Sequence, residues 1–140
     1  MWGWIARFWP RRAQASHLGL RGETLASQHM QRLGYRILER QLRGRFGELD
    51  LVALDDNVVV FVEVKTRTST SAGHPTESVT AVKQRKITHS ALAYLKQRGW
   101  LERRARFDVI SILWPDDGRD PELQHYRNAF EAFGRGQMYS

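Results

Sequence analysis

Cysteine is absent from this chain. That removes disulfide-stapled scaffolds and thiolate-bound metal sites at once, and a reducing, cytoplasmic setting is the natural expectation. No apolar run approaches the roughly 20 residues that a membrane-spanning helix needs, so no stable membrane insertion is expected. The first residues also lack the continuous apolar stretch of about 7–15 residues that marks a secretory signal. Acidic residues are the scarcer charge: 15 Asp and Glu stand against 22 Lys and Arg, a formal net charge of +7. Internal repeats and linker-like segments are missing too, which argues for a single folding unit.

At 140 residues, 41% of them hydrophobic, the chain is long enough to bury a core of its own. Its basic excess fits nucleic acid, an anionic membrane surface, or simply a solubilising shell. The placement of the charge has to decide between these.

The opening stretch, residues 1–16, mixes Trp2, Trp4, Phe8 and Trp9 with Arg7, Arg11 and Arg12, and Pro10 interrupts any helix. It reads as a basic aromatic arm, expected to be flexible. The domain proper, 17–140, begins with a helical pattern from Leu18 to Leu33, in which Leu18, Leu25, Met30 and Leu33 can share a face and Gly34 supplies the stop. Tyr35 to Leu42 reads as a strand, Leu42 to Gly47 as a basic loop or hairpin, and Glu48 to Leu54 and Asn57 to Lys65 as two more strands joined at Asp55-Asp56-Asn57. A polar loop, Thr66 to Pro75, precedes a long helix expected from Glu77 to Gln97. Thr76 or Ser78 is its expected N-cap and Gly99 its stop, with Val79, Val82, Ile87, Ala91 and Leu95 on the buried side. Arg106 to Trp114 is a fourth strand and Leu123 to Tyr126 a short fifth. The order α-β-β-β-α-β-β predicts a single α/β domain with a mixed central sheet flanked by helices.

The third strand, VVVFVEVK, ends unusually: Glu63 and Lys65 stand two residues apart and so on one side of a strand. With an even-numbered turn at Asp56-Asn57, paired positions sum to 113, and Asp50 falls opposite Glu63 and Glu48 opposite Lys65. Two carboxylates with Cβ atoms about 4.5–5.5 Å apart repel unless something neutralises them. A divalent cation bound by oxygen, Mg²⁺ or Mn²⁺, would do so, with Lys65 at the rim to orient a water or hold a phosphate. The alternative for each residue taken singly is a solvated strand end; four such groups on one side of an apolar strand pair favour a site.

Asp50 followed by Glu63-Val64-Lys65 resembles the signature of the PD-(D/E)xK nuclease superfamily, an acid and then acid-x-lysine. With it come RGETLA, GYRILERQLR, GELDLVA, VFVEVKTR, KQRKITHSALAYL, RFDV and HYRNAF, a succession over residues 19–130. This resembles the YraN-like family of bacterial proteins, which is similar to archaeal Holliday-junction resolvases. The resemblance implies a restriction-endonuclease-like fold and a metal-dependent endonuclease acting on DNA, including branched or structured DNA, in repair or recombination. It further implies that Asp50 and Glu63 bind metal, helped by the Val64 carbonyl and by Glu23 from the first helix. Lys65 would position or activate water, and Glu48 would be an outer partner or would pair with Lys65.

Arg43, Arg45, Arg67, Lys83, Gln84, Arg85 and Lys86 flank these positions and are the candidates for phosphate contact, which is salt-sensitive and largely sequence-independent. The histidines His17, His29, His74, His89 and His125 have no metal-ligand spacing. Asp108 is expected to pair with an arginine. Symmetrical cutting of a branched DNA would favour a homodimer. The alternative functions are a nuclease-like module that binds nucleic acid without cutting it, and a partner-recruiting protein that docks through its aromatic arm and tail.

Overall fold

Three antiparallel strands, a crossover helix and two further strands build one sheet. The computed structural model describes residues 17–68 and 79–132. Helix α1 (His17–Arg32) leads into β1 (Arg36–Gly44), β2 (Gly47–Asp55) and β3 (Val58–Arg67); α2 (Ala81–Arg98), β4 (Ala105–Leu113) and β5 (Glu122–Phe130) follow. The order is the one expected from the sequence. The strands lie side by side as β1-β2-β3-β4-β5. Every neighbouring pair is antiparallel except β3 and β4. A parallel pair needs a long crossover, and the segment carrying α2 provides it.

The two helices cover opposite faces. Ala26 and Met30 of α1 pack with Leu51, Ala53, Val60, Val62, Ile110 and Ile112. Ile87, Ala91, Tyr94 and Leu95 of α2 pack with Val52, Val59, Phe61, Phe107 and Val109. This explains why Val59 to Val62 of β3 and Ala105 to Ile112 of β4 are buried without a break: both faces of the central pair are covered. The ring of Phe61 meets those of Tyr94 and Phe107 at centroid distances of 6.0 and 5.8 Å. Truncating so buried an aromatic typically costs about 3–5 kcal/mol.

Helix ends follow local chemistry. Gly34, at φ 91°, turns the chain out of α1. Gly99, at φ 72°, closes α2 in a left-handed cap, and Trp100 N–H reaches back to the Leu95 carbonyl at 2.7 Å. The start of α2 differs from the expected Glu77. Thr80 is the N-cap, its hydroxyl accepting from Lys83 N–H at 3.3 Å, because Val79 is still buried in the core when the chain turns into the helix. Thr76 and Ser78, the expected caps, lie outside the described residues. Val82 was expected on the buried side but is 58% exposed. The buried stripe of the helix is Ile87, Thr88, Ala91, Tyr94 and Leu95, and Val82 falls off its 3.6-residue period. Leu33, placed on the core face by its spacing, is 51% exposed because the helix has ended at Arg32. The fifth strand is longer than Leu123 to Tyr126, running nine residues along β4.

Candidate active site

The β2–β3 pairing has the register expected of an even-numbered turn: Asp55↔Val58, Leu54↔Val59 and onward to Leu51↔Val62. Asp56 takes the left-handed conformation the turn needs, at φ 51°. Continued by one rung, the register sets Asp50 opposite Glu63. There the ladder stops, and Val64 N–H donates instead to Asp50 Oδ2 at 2.8 Å. The carboxylate has taken the place of a backbone acceptor, so its orientation is fixed although no rung holds the strands together at that point.

The sheet is locally irregular around this carboxylate. Leu49 and Val52 both pack on the α2 side, whereas Leu51 packs on the α1 side. Strict alternation would put Leu49 with Leu51, so the strand breaks its period at Asp50. On β1, Gln41 has a φ of 50° and drops out of the ladder between Arg40↔Leu51 and Leu42↔Leu49. Alternation from Val52 already sets Asp50 on the α2 face, where Glu63 and Lys65 point; the break instead carries Leu49 to that face beside it.

Together these residues line a recess of about 230 Å³ with Gly47, Glu48, Lys83, Lys86 and Ile87. Asp50 is 4% exposed. Lys65 Nζ sits 3.1 Å from Glu63 Oε2, both side chains slightly under one-fifth exposed. Burial pulls the Lys65 pKa down, but the Glu63 charge, a hydrogen bond with Lys83 and the Asp50 charge outweigh it and raise the pKa above the ordinary lysine value. Lys83 goes the other way: its hydrogen bond with Lys65, then burial and the repulsion from that ammonium, lower it. Two lysines therefore share the field of two carboxylates, one holding its proton more tightly than an ordinary lysine and the other less tightly.

The remaining sequence candidates are spread around this centre. Glu48 lines the recess and pairs with Arg43 at 3.6 Å. Glu23 is 8% exposed on α1 and accepts from Gln41 Nε2 at 2.8 Å, so it reaches the strand residue beside Asp50's position while the recess itself opens toward α2. Its helix approaches β3 closely: a Cβ on Gly22 would lie 2.5 Å from Thr66 Oγ1. Arg45 is exposed, its guanidinium 5.6 Å from the centre of the Phe46 ring. Arg67 ends β3, its carbonyl accepting from Trp114 N–H at 2.8 Å. Lys86 joins Lys83 in the recess wall and Arg85 is exposed. Gln84 Nε2 donates to the Val79 carbonyl at 2.9 Å and braces the start of α2. His74 and the aromatic arm lie outside the described residues.

The donor set of the recess is oxygen only, without histidine or cysteine among its lining residues. This fits a hard cation such as Mg²⁺, which is usually bound by one or two carboxylates plus water and substrate phosphate. Among the described residues no group of three or more His, Asp or Glu side chains converges as a complete ligand set. Asp50 and Glu63 are thus the pair on which metal binding would rest.

A second charged cluster lies on the α1 face, of which the sequence anticipated only the pairing of Asp108 with an arginine. Asp108, fully buried, accepts from Arg106 Nε at 3.0 Å, from Asn128 N–H at 2.9 Å and bonds His125 Nε2 at 2.7 Å. Arg106 also donates to Asp55 at 2.9 Å and to the Tyr35 hydroxyl at 2.8 Å. His125 Nδ1 in turn meets His29 Nε2 at 3.1 Å. Asp108 pairs with an arginine as expected; the two histidines, 96 residues apart, are joined only by the fold.

The sequence model of the Uncharacterised protein family UPF0102 matches residues 22–112, and the chain belongs to that family. A UPF0102 protein of Geobacter sulfurreducens is 51% identical over 116 residues, covering 81% of this chain and 88% of the relative. One of Geobacter metallireducens is 50% identical, covering 81% and 92%. One of Rhodopirellula baltica is 42% identical, covering 89% and 76%. The matched span contains every residue that lines the recess, from Gly47 to Ile87.

Proposed function

We propose that the recess is the active centre of a metal-dependent endonuclease that hydrolyses phosphodiester bonds in DNA. The observation that carries this reading is the meeting of Asp50, Glu63 and Lys65 in one depression walled by Lys83 and Lys86. The family resemblance assigns nuclease roles to the first three of these, and the lysines suit a polyanionic substrate.

Each side chain then has a task that its geometry supports. Asp50, held by Val64 N–H, and Glu63 would hold Mg²⁺ or Mn²⁺, with the Val64 carbonyl beside them and Glu23 approaching by way of Gln41. When bound, the ion supplies charge relief on the phosphoryl oxygens and an acidified water. Lys65, at 3.1 Å from Glu63, is placed to orient that water or to stabilise charge that develops on the phosphoryl group. Lys83 and Lys86 draw the backbone into the recess. Arg43, Arg45 and Arg67 extend the basic track along the hairpin tip and the β3 end, whereas Gln84 and Glu48 act by positioning their neighbours.

The test is cleavage of branched, single-stranded and duplex DNA in Mg²⁺, Mn²⁺ or EDTA, with Glu63→Ala and Lys65→Ala alongside. Metal-dependent cutting that both substitutions abolish is expected. Cutting that survives either one belongs to another site or another protein. Tight, salt-sensitive binding with no cutting on any substrate would leave a nucleic-acid-binding module of nuclease fold.

A further inference from the structure

Beside the recess runs a second depression that the hydrolytic reading does not use. It is a groove of about 490 Å³ lined by Phe46, His89, Leu92, Ala93, Lys96 and Leu101. We propose that this groove takes an unpaired nucleobase, so that DNA with an unstacked nucleotide next to the bound phosphate is the preferred ligand. The proposal rests on reading the recess as the place where a phosphodiester backbone lies.

Position is the first argument. Phe46 and Gly47 are consecutive at the β1–β2 tip, and Gly47 walls the recess while Phe46 walls the groove. On α2, Lys86 lines the recess and His89, three residues on, lines the groove. Such residues are neighbours on a helix surface, within one turn of about 5.4 Å. A nucleotide whose phosphate enters the recess has its base within reach of the groove.

Chemistry is the second. Phe46 is 42% exposed and Leu101 47%, two large apolar side chains open to solvent at the groove. The Phe46 and His89 rings meet edge-on at 5.4 Å, leaving aromatic surface open. Unstacked bases bind to such surface regardless of sequence, whereas a base paired within a duplex cannot reach it. The volume falls in the range of small-ligand pockets, roughly 300–1,000 Å³.

Charge selects nucleic acid over a second copy of this chain. Arg45 stands over Phe46, Lys96 forms one wall, and Lys83 and Lys86 continue the positive rim. A copy carrying the same +7 charge would set these cations against their like, while a phosphate backbone complements them.

The test is fluorescence anisotropy in EDTA, comparing a blunt duplex with the same duplex interrupted by a short unpaired thymidine tract. The wild-type chain should favour the interrupted duplex. Phe46→Ala should weaken that complex about tenfold and the blunt one less than twofold, with Phe46→Tyr close to wild type. Phe46 is exposed at a hairpin tip, so the fold should survive its truncation. Photocrosslinking from 5-iodouracil in the unpaired tract should map to Phe46 or His89. Equal weakening on both ligands, or crosslinks that map elsewhere, overturns the proposal. So does a dimer in sedimentation velocity that Phe46→Ala dissociates without altering the preference, because the groove would then belong to a second copy. The two readings fail separately. If the preference appears but Mg²⁺ brings no cutting, the groove stands and hydrolysis falls; if blunt duplex is cut and Phe46→Ala changes nothing, hydrolysis stands and the groove falls.

Discussion

Two charged clusters lie on opposite faces of one sheet, and their chemistry is almost the same: carboxylates with cations beside them. On the α1 face, Asp108 accepts from an arginine, a histidine and a backbone N–H, and none of its surface is exposed. On the α2 face, Glu63 and Lys65 remain partly open to a 230 Å³ recess, and Lys65 has a second lysine as neighbour. A buried charge whose partners leave no room is part of the scaffold. Like charges crowded around a space cost the fold stability, and under the proposed function a bound ligand relieves that cost. The contrast distinguishes the two clusters where residue type alone does not.

The sharpest way to break that contrast is to remove one acid from each cluster. Glu63→Gln should lower the cutting rate by about 10²–10³-fold, because it removes one of the two carboxylates proposed to hold the ion and with it the electrostatic stabilisation the ion would supply. Its stability in urea should move less than that of the Asp108 variant, because Lys65 keeps the Asp50 charge beside it and the pair borders the open recess. Asp108→Ala should do the reverse. It breaks a buried ion pair, leaves Arg106 only Asp55 and Tyr35, takes the acceptor from His125 and Asn128 N–H, and should cost about 3–5 kcal/mol. The cutting rate of the fraction that remains folded should stay close to wild type. Equal stability losses for the two variants would mean that the recess is as much a structural lock as the Asp108 cluster.

Acid titration sharpens the same comparison. Burial alone would push the Asp108 pKa up, but the hydrogen bonds from His125, Arg106 and Asn128 outweigh it and hold the carboxyl below its ordinary value. A folded pKa below the unfolded one contributes stability that is complete above about pH 4 and is lost as pH falls through the folded value. The stability gap between wild type and Asp108→Asn should therefore narrow as pH falls below about 4. Urea midpoints below that pH read this directly, and a gap that widens there would contradict the assigned direction.

The two clusters also differ in how far the sequence revealed them. The recess was legible because its acids lie on adjacent strands of a tight hairpin, where a period of two and an even turn fix which side chains meet. Asp50, Glu63 and Lys65 follow from that arithmetic. The break in alternation at Asp50 does not, since it depends on Gln41 leaving the ladder across the sheet. Lys83 was legible only as a basic helix residue; its contact with Lys65 comes from the seating of α2 on the sheet, and the Thr80 cap was passed over in sequence for Thr76 and Ser78. The Asp108 cluster was almost wholly hidden, because His29 and His125 come from elements that only tertiary packing brings together. Phe46 had no signal at all beyond its basic neighbours. Its exposure depends on a hairpin tip lying over α2.

The smallest effect expected bears on whether the two faces are mechanically joined. Gly22 on α1 meets Thr66, the residue after Lys65, and Gly22→Ala would bring a Cβ to 2.5 Å from the threonine hydroxyl. Alanine gains about 0.8–1 kcal/mol over glycine within a helix, so the clash and the propensity oppose one another. Gly22→Ala alone should leave stability near wild type or slightly below it. In a Thr66→Ala background, where the contact is gone, the same change should stabilise by the full ~1 kcal/mol. The difference between the two backgrounds measures how firmly α1 is seated against the β3 end. If it is zero, α1 shifts freely to admit the methyl group, and Glu23 next to Gly22 is not held in a fixed relation to the strand that carries Lys65. If it is about 1 kcal/mol or more, the helix behind the sheet is rigidly registered to the recess in front of it. Glu23, next to Gly22 and hydrogen-bonded to Gln41, is then held in a fixed relation to the strand that carries Lys65.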